Sequence, residues 1–128
     1  MIGIAGIIQN YLSNNDNVYV DLMPAAPSEC ICIYDVAGRS PDFTFDGIKF
    51  RKPSIQVVVR SYTYDNGYST LQDVIENIEN LEGTTQDGYQ FLVVEQTSDV
   101  FSWDFADEKN RTYKCFAINF NLEIVKTI

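Results

Sequence analysis

Lys114-Cys115-Phe116-Ala117-Ile118-Asn119-Phe120-Asn121-Leu122-Glu123-Ile124 alternates between apolar and polar residues along most of its length. In an extended chain Phe116, Ile118, Phe120, Leu122 and Ile124 point one way, and Asn119, Asn121 and Glu123 the other. That is the pattern of a half-buried antiparallel strand, roughly twice the usual length. Its apolar face needs a cover, and the rest of the chain supplies candidates.

Immediately upstream, Asp107-Glu108-Lys109-Asn110 reads as the turn that brings the chain back. Before it come two further strands, Tyr89 to Gln96 and about Val100 to Phe105, the first entered through Asp87-Gly88. A helix precedes them. Ser69 reads as its N-cap with Gln72 as capping-box partner, and Leu71, Val74, Ile75, Ile78 and Leu81 form one apolar stripe. Gly83 is placed to end it in a left-handed cap. Asp65-Asn66-Gly67 reads as a turn, and Ser54 to Thr63, opened by Pro53, as a nearly all-apolar central strand.

Asp42-Phe43-Thr44-Phe45-Asp46-Gly47-Ile48-Lys49-Phe50-Arg51 reads as a hairpin about a two-residue Asp46-Gly47 turn. That register sets Phe45 opposite Ile48 and Phe43 opposite Phe50, giving one wholly apolar face. The other face pairs Thr44 with Lys49 and Asp42 with Arg51. An isolated hairpin is marginal in water, so this face must lie on the protein's own core or on another subunit. Gly38 and Pro41 open the hairpin, and Cys30 to Val36 is a buried strand before it. Met23-Pro24-Ala25-Ala26-Pro27 is a loop, Val18-Tyr19-Val20 a short extended piece, and Ser13-Asn14-Asn15-Asp16 the end of a first helix from Ile2 to Leu12. The order predicts a single α+β domain over residues 1–128: a mixed or antiparallel sheet, two helices on one face, and an extended β-hairpin.

Composition excludes several classes. The 128 residues are long enough to bury a core, and a 45% hydrophobic content argues against disorder. No apolar run approaches the roughly 20 residues of a membrane span, and Met1 to Leu12 lacks the basic region and cleavage site of a signal peptide. The net charge of −9 disfavours a nucleic-acid surface of the usual basic kind. The charge is uneven: Arg39 to Arg60 carries five basic and two acidic residues, whereas Ser61 to Asn110 carries eleven acidic and one basic. This fits either a solvated surface or two opposite patches that meet between copies. Cys30, Cys32 and Cys115 are odd in number, and Cys30 and Cys32 project from one strand face with poor bridging geometry, so reduced thiols and a cytoplasmic setting are expected.

The chain has no histidine, which removes the commonest general base and metal ligand. Neither a P-loop nor G-x-G-x-x-G occurs, and Cys30-x-Cys32 lacks zinc-site spacing. No catalytic, metal or cofactor residues are assigned. Asp107 and Glu108 read as a solvated turn. Trp103 with Phe101 and Phe105 forms an aromatic stripe suited to core, interface or ligand platform. Arg60 suits either an ion pair at a subunit boundary or the point where its strand leaves the core.

Three segments carry a resemblance: Pro27 with Ile31-Cys32-Ile33-Tyr34, Gly38 and Pro41; Lys52-Pro53-Ser54-Ile55-Gln56-Val57-Val58-Val59-Arg60 with the helix after it; and Arg111-Thr112-Tyr113 through Asn119-Phe120. In order and spacing the chain resembles the minor capsid and tail terminator (tail completion) proteins of long-tailed bacteriophages. The resemblance implies an α+β protein without enzymatic activity or cofactors, assembled in the host cytoplasm and located in the virion. It implies a homo-oligomeric ring, typically a hexamer, that caps the tail tube and joins it to the head. Partners would be other copies, the tube protein and head–tail connector proteins, with no sequence-specific nucleic acid and no membrane. Phe43, Phe45, Ile48, Lys49, Phe50 and Arg51 of the hairpin, with Arg60, are the expected subunit or tube interface. A head–tail connector or tail tube subunit is the near alternative; a non-viral ligand-binding regulatory module using Trp103 is the distant one.

Overall fold

The computed structural model describes residues 3–12, 17–24, 29–43, 45, 47–106, 109 and 111–127. Within them run α1 (Ile4–Tyr11), β1 (Val18–Val20), β2 (Cys30–Phe43), β3 (Lys49–Ser61), α2 (Tyr64–Glu79), β4 (Thr85–Gln86), β5 (Tyr89–Gln96), β6 (Phe101–Ala106) and β7 (Thr112–Lys126). Met1 and Ile2, Ser13 to Asp16, Ala25 to Pro27, and Asp107, Glu108 and Asn110 of the expected helix start, loops and turn lie outside the described residues.

Seven strands form one mixed, curled sheet in the order β1-β2-β3-β7-β5-β4. The β1–β2 pair is parallel and the other pairs are antiparallel. The long alternating strand is its axis: β7 pairs with β3 on one side and with both β5 and β6, end to end, on the other. Thr97 N–H donates to Asn119 O at 2.9 Å where β5 gives way to β6.

The period-two pattern of β7 sets the core. Phe116, Ile118, Phe120, Leu122 and Ile124 join Ile55, Val57 and Val59 of β3 and Ile31 and Ile33 of β2 in one buried cluster. Ile4, Ile7 and Ile8 of α1 and Leu71, Val74, Ile75 and Ile78 of α2 complete it. Asp35 on β2 accepts the Ala5 N–H at 3.1 Å, supplying the cap that Gly3 has no side chain to make.

Helix α2 starts earlier than the Ser69 capping box suggests. Thr63 is the N-cap, accepting the Asn66 N–H at 3.3 Å, and Asp65 sits in the first turn, where a carboxylate suits the helix dipole. The expected turn at Asp65-Asn66-Gly67 is therefore the first helical turn. Gly67 is buried because the helix approaches the sheet closely there. A Cβ on it would stand 2.6 Å from Phe116 Cε2 and 3.1 Å from Ser61 Cβ. Gly83 has the expected positive φ of 84° but lies beyond the Asn80 C-cap, so it turns the chain toward β4 instead of ending the helix.

The hairpin is the turn end of a long β2–β3 arm, because β2 runs on through Gly38 and Pro41, and Pro53 lies inside β3; β7 borders the β3 side of this arm as far as Phe50. The expected register does not form. Phe43 pairs with Lys49 and Asp42 with Phe50, where Phe43–Phe50 and Asp42–Arg51 were expected. Two irregularities, between Val36 and Arg39 and between Arg39 and Asp42, each add one residue to β2 relative to β3. Opposite residues share a face, so the apolar residues are split between the two faces of the arm and the wholly apolar face is lost. Gly38 occupies the first irregularity; a Cβ there would collide with the Lys52 carbonyl oxygen. Pro53 falls where the β3–β7 ladder skips from Arg51 to Ser54, so its missing N–H breaks no bond. Thr44 and Asp46 of the expected turn lie outside the described residues.

Candidate functional site

Two surfaces stand out, and they lie at opposite ends of β3. The first is the arm tip. Phe43 is 66% exposed, Phe45 is fully exposed and Ile48 is 45% exposed, while Phe50 is half-buried. Of the basic residues beside them, Lys52 pairs with Asp42 at 2.6 Å and approaches Glu123 at 4.0 Å. Arg51 lies over the Tyr89 ring, 5.8 Å from its centroid. The basic cluster is therefore partly engaged by its own chain. Lys49 stands exposed opposite Phe43.

The second surface is a groove of about 880 Å³ on the sheet face opposite the main core. Trp103 and Phe105 of β6 form one wall, opposite Cys115 and Tyr113 of β7. The stripe foreseen in the sequence is real: Phe101 stacks on Trp103 at 5.7 Å, and Phe105 on Tyr113 at 6.2 Å. It is not core, since Trp103 and Phe105 are 40% and 46% exposed. Arg60 sits on the floor, 5% exposed. Its Nη2 donates to the Pro24 carbonyl at 2.5 Å, and its guanidinium lies 5.3 Å from the Tyr113 ring centroid. The structure thus separates Arg60 from the hairpin residues with which it was grouped.

Arg60 is flanked in the sheet by Cys30 on β2 and Cys115 on β7. All three thiols are free and buried. Burial pushes each of them up, while the Arg60 charge pulls Cys30 and Cys115 back in part. Burial also raises the Tyr34 phenol, to about 12. These groups are neutral at pH 7 and offer no activated nucleophile. Among the described residues no three histidine, cysteine or carboxylate side chains group to hold a metal, and no helix is long and apolar enough to cross a membrane.

The groove draws on Met23, Val58, Trp103 and Tyr113, which are far apart in sequence. Only the stripe at residues 101–105 signalled it; nothing local marks Val58 or Met23 as facing a cavity.

The described residues leave large apolar side chains in solvent at the hairpin end and in the groove, as surfaces that meet other proteins do. Residues 6–126 match the model of the bacteriophage tail terminator protein family, and the chain belongs to that family. Its fold is similar to that of a chain from the virion of a native gene transfer agent (GTA) particle, with a TM-score of 0.60 at 8% identity, covering 95% of this chain and 94% of that one. No curated protein sequence matches. The chain is a structural tail terminator of the virion tail, and it assembles with other phage tail and head proteins.

Proposed function

We propose that this terminator acts as a ring of identical subunits, hexameric as is typical of the family, which caps the tail tube and presents the surface that joins the head. The reading takes residues 1–128 as one non-enzymatic domain with both helices on one sheet face, leaving the arm and the opposite face for assembly. Its interface comprises Phe43, Phe45, Ile48, Lys49, Phe50 and Arg51 on the arm, with Arg60 holding a second surface in shape. The observation that carries it is the arm tip. Phe43 and Phe45 are large apolar side chains left in solvent at the turn end of the β2–β3 pair. Such surface marks a protein contact.

Native mass spectrometry and negative-stain microscopy of the purified protein test the reading together. Closed rings of uniform copy number are the expected result. Open filaments would make the protein a tube subunit instead, and a monomer at all concentrations would overturn self-assembly.

A further inference from the structure

We propose that β6 is a docking edge for β6 of a second copy: two chains join antiparallel about a two-fold axis at Trp103, and the sheet runs on from one into the other. This contact is additional to the ring contact. A two-fold pair closes on itself and makes no ring, so the two contacts stand or fall separately.

The first observation is an edge left open. An edge strand offers unpaired N–H and C=O groups to any extended chain, and proteins usually blunt it. The other edges of this sheet are blunted. Beside β5, Phe91 N–H donates to Thr84 O at 2.8 Å, and Val94 N–H to a Glu82 carboxylate oxygen at 3.1 Å. Beside β2, Asp35 N–H donates to the Asp21 carboxylate at 3.2 Å, and further along come the two irregularities and Pro41. Strand β6 has none of these devices. It contains neither glycine nor proline, and it pairs with β7 in unbroken register from Phe101–Ala117 to Ala106–Thr112. Among the described residues its backbone meets no other segment. All six of its residues are exposed, so both faces stand in solvent as well as the edge.

The second observation names the occupant. Phe101-Ser102-Trp103-Asp104-Phe105 has the same character read in either direction about Trp103, with phenylalanine at both ends. Laid antiparallel on itself, it sets Trp103 opposite Trp103 of the partner subunit and Phe101 opposite Phe105 of the partner subunit. Opposite residues share a sheet face, so the Phe101–Trp103 stack, with centroids 5.7 Å apart, would continue into one band of six rings. On the other face Ser102 falls opposite Asp104 of the partner subunit, so like charges are not set face to face. Each Asp104 already meets Lys114 of its own chain at 2.5 Å. The strand is thus complementary to itself on both faces.

The test places charge on the axis. Trp103→Lys and Trp103→Glu each set two like charges directly opposite in a pair, at an exposed position. Unchanged circular dichroism and melting temperature establish that the variants are folded. In native mass spectrometry each alone should halve the copy number of the wild-type species, dimer to monomer or paired rings to single rings. Mixed in equal amounts, the two variants should restore it, with one of each in every pair. A copy number unchanged in either folded variant, a mixture that stays halved, or a wild type of odd copy number overturns the proposal. Single rings unaffected by either variant would leave the ring reading standing and remove the pairing; dimers that never close into rings would do the reverse. Trp103 is the sole tryptophan, so its fluorescence gives an independent readout. Wild-type emission should move to shorter wavelength as concentration rises and the indole is buried, and that of Phe101→Asp should not. Emission independent of concentration in the wild type, over the range where pairs are seen by mass, would place the contact elsewhere and overturn the assignment to β6.

Discussion

At the scale of residues, helix α2 shows how two equally good local signals are decided. Thr63 and Ser69 both precede helix-compatible segments, and Thr63 wins because starting there lets Gly67 seat the first turns against Phe116. Thr63→Ala should lose about 1 kcal/mol in chemical denaturation, the usual value of an N-cap side chain. Ser69→Ala, at an exposed helical position, should be neutral or slightly stabilising. The reverse order would place the helix start at Ser69. A second prediction concerns the buried acids. The three thiols and the Tyr34 phenol bind protons more tightly folded than unfolded. Their contribution to stability is therefore complete below pH 9, the ordinary thiol value, and is lost as pH rises through the folded-state values. For Tyr34 the loss runs from pH 10 to about 12. The melting temperature should thus begin to fall above pH 9, and Tyr34→Phe should flatten the last part of the decline. A melting temperature still level at pH 11 would contradict the burial of these groups.

At the scale of elements, Ile78 is fully buried on the α2 stripe. Ile78→Ala should destabilise the protein by about 2–5 kcal/mol, combining lost transfer energy with the cavity left behind. A loss below about half a kcal/mol in denaturant titration would mean that the helix does not complete the core. This stripe, strand β5 and the alternation of β7 were legible in the sequence because burial on one face imposes a period, and a period survives without knowledge of partners. The arm was misread for the converse reason. Register there depends on two irregularities in β2 that no local pattern announces, and Gly38, Pro41 and Pro53 look like strand ends when they are positions where a strand bends. The groove was only half visible. Phe101, Trp103 and Phe105 share a face by strand geometry alone, but whether that face meets core, partner or solvent is set by what the rest of the chain lays against it. Arg60 likewise showed its charge and place on the strand, not its bond to Pro24 or its place over Tyr113.

At the scale of the whole molecule, the contrast between the net-basic segment from Arg39 to Arg60 and the acidic segment from Ser61 to Asn110 gives a further test of assembly. Lys49→Glu with Arg51→Glu should raise the dissociation constant of the oligomer at low salt, and the difference should shrink as ionic strength rises and the Debye length falls below about 10 Å. Phe45→Ser should weaken assembly about equally at all salt concentrations, because it removes burial and no charge. Sedimentation velocity of both variants at low and high salt separates the two effects. Intact oligomers together with a lowered melting temperature would mean that the arm folds onto its own protomer.

The two extra residues in β2 have one more consequence. Each irregularity bends and twists the strand that carries it, so together they set the course of β2 from Gly38 to Phe43 relative to β3. If successive copies meet through that arm, the angle turned at each contact is written into the backbone near Gly38, and that angle decides how many copies are needed to come full circle. Deleting one of the extra residues would then change the circumference of the assembly before it changed the strength of any contact in it.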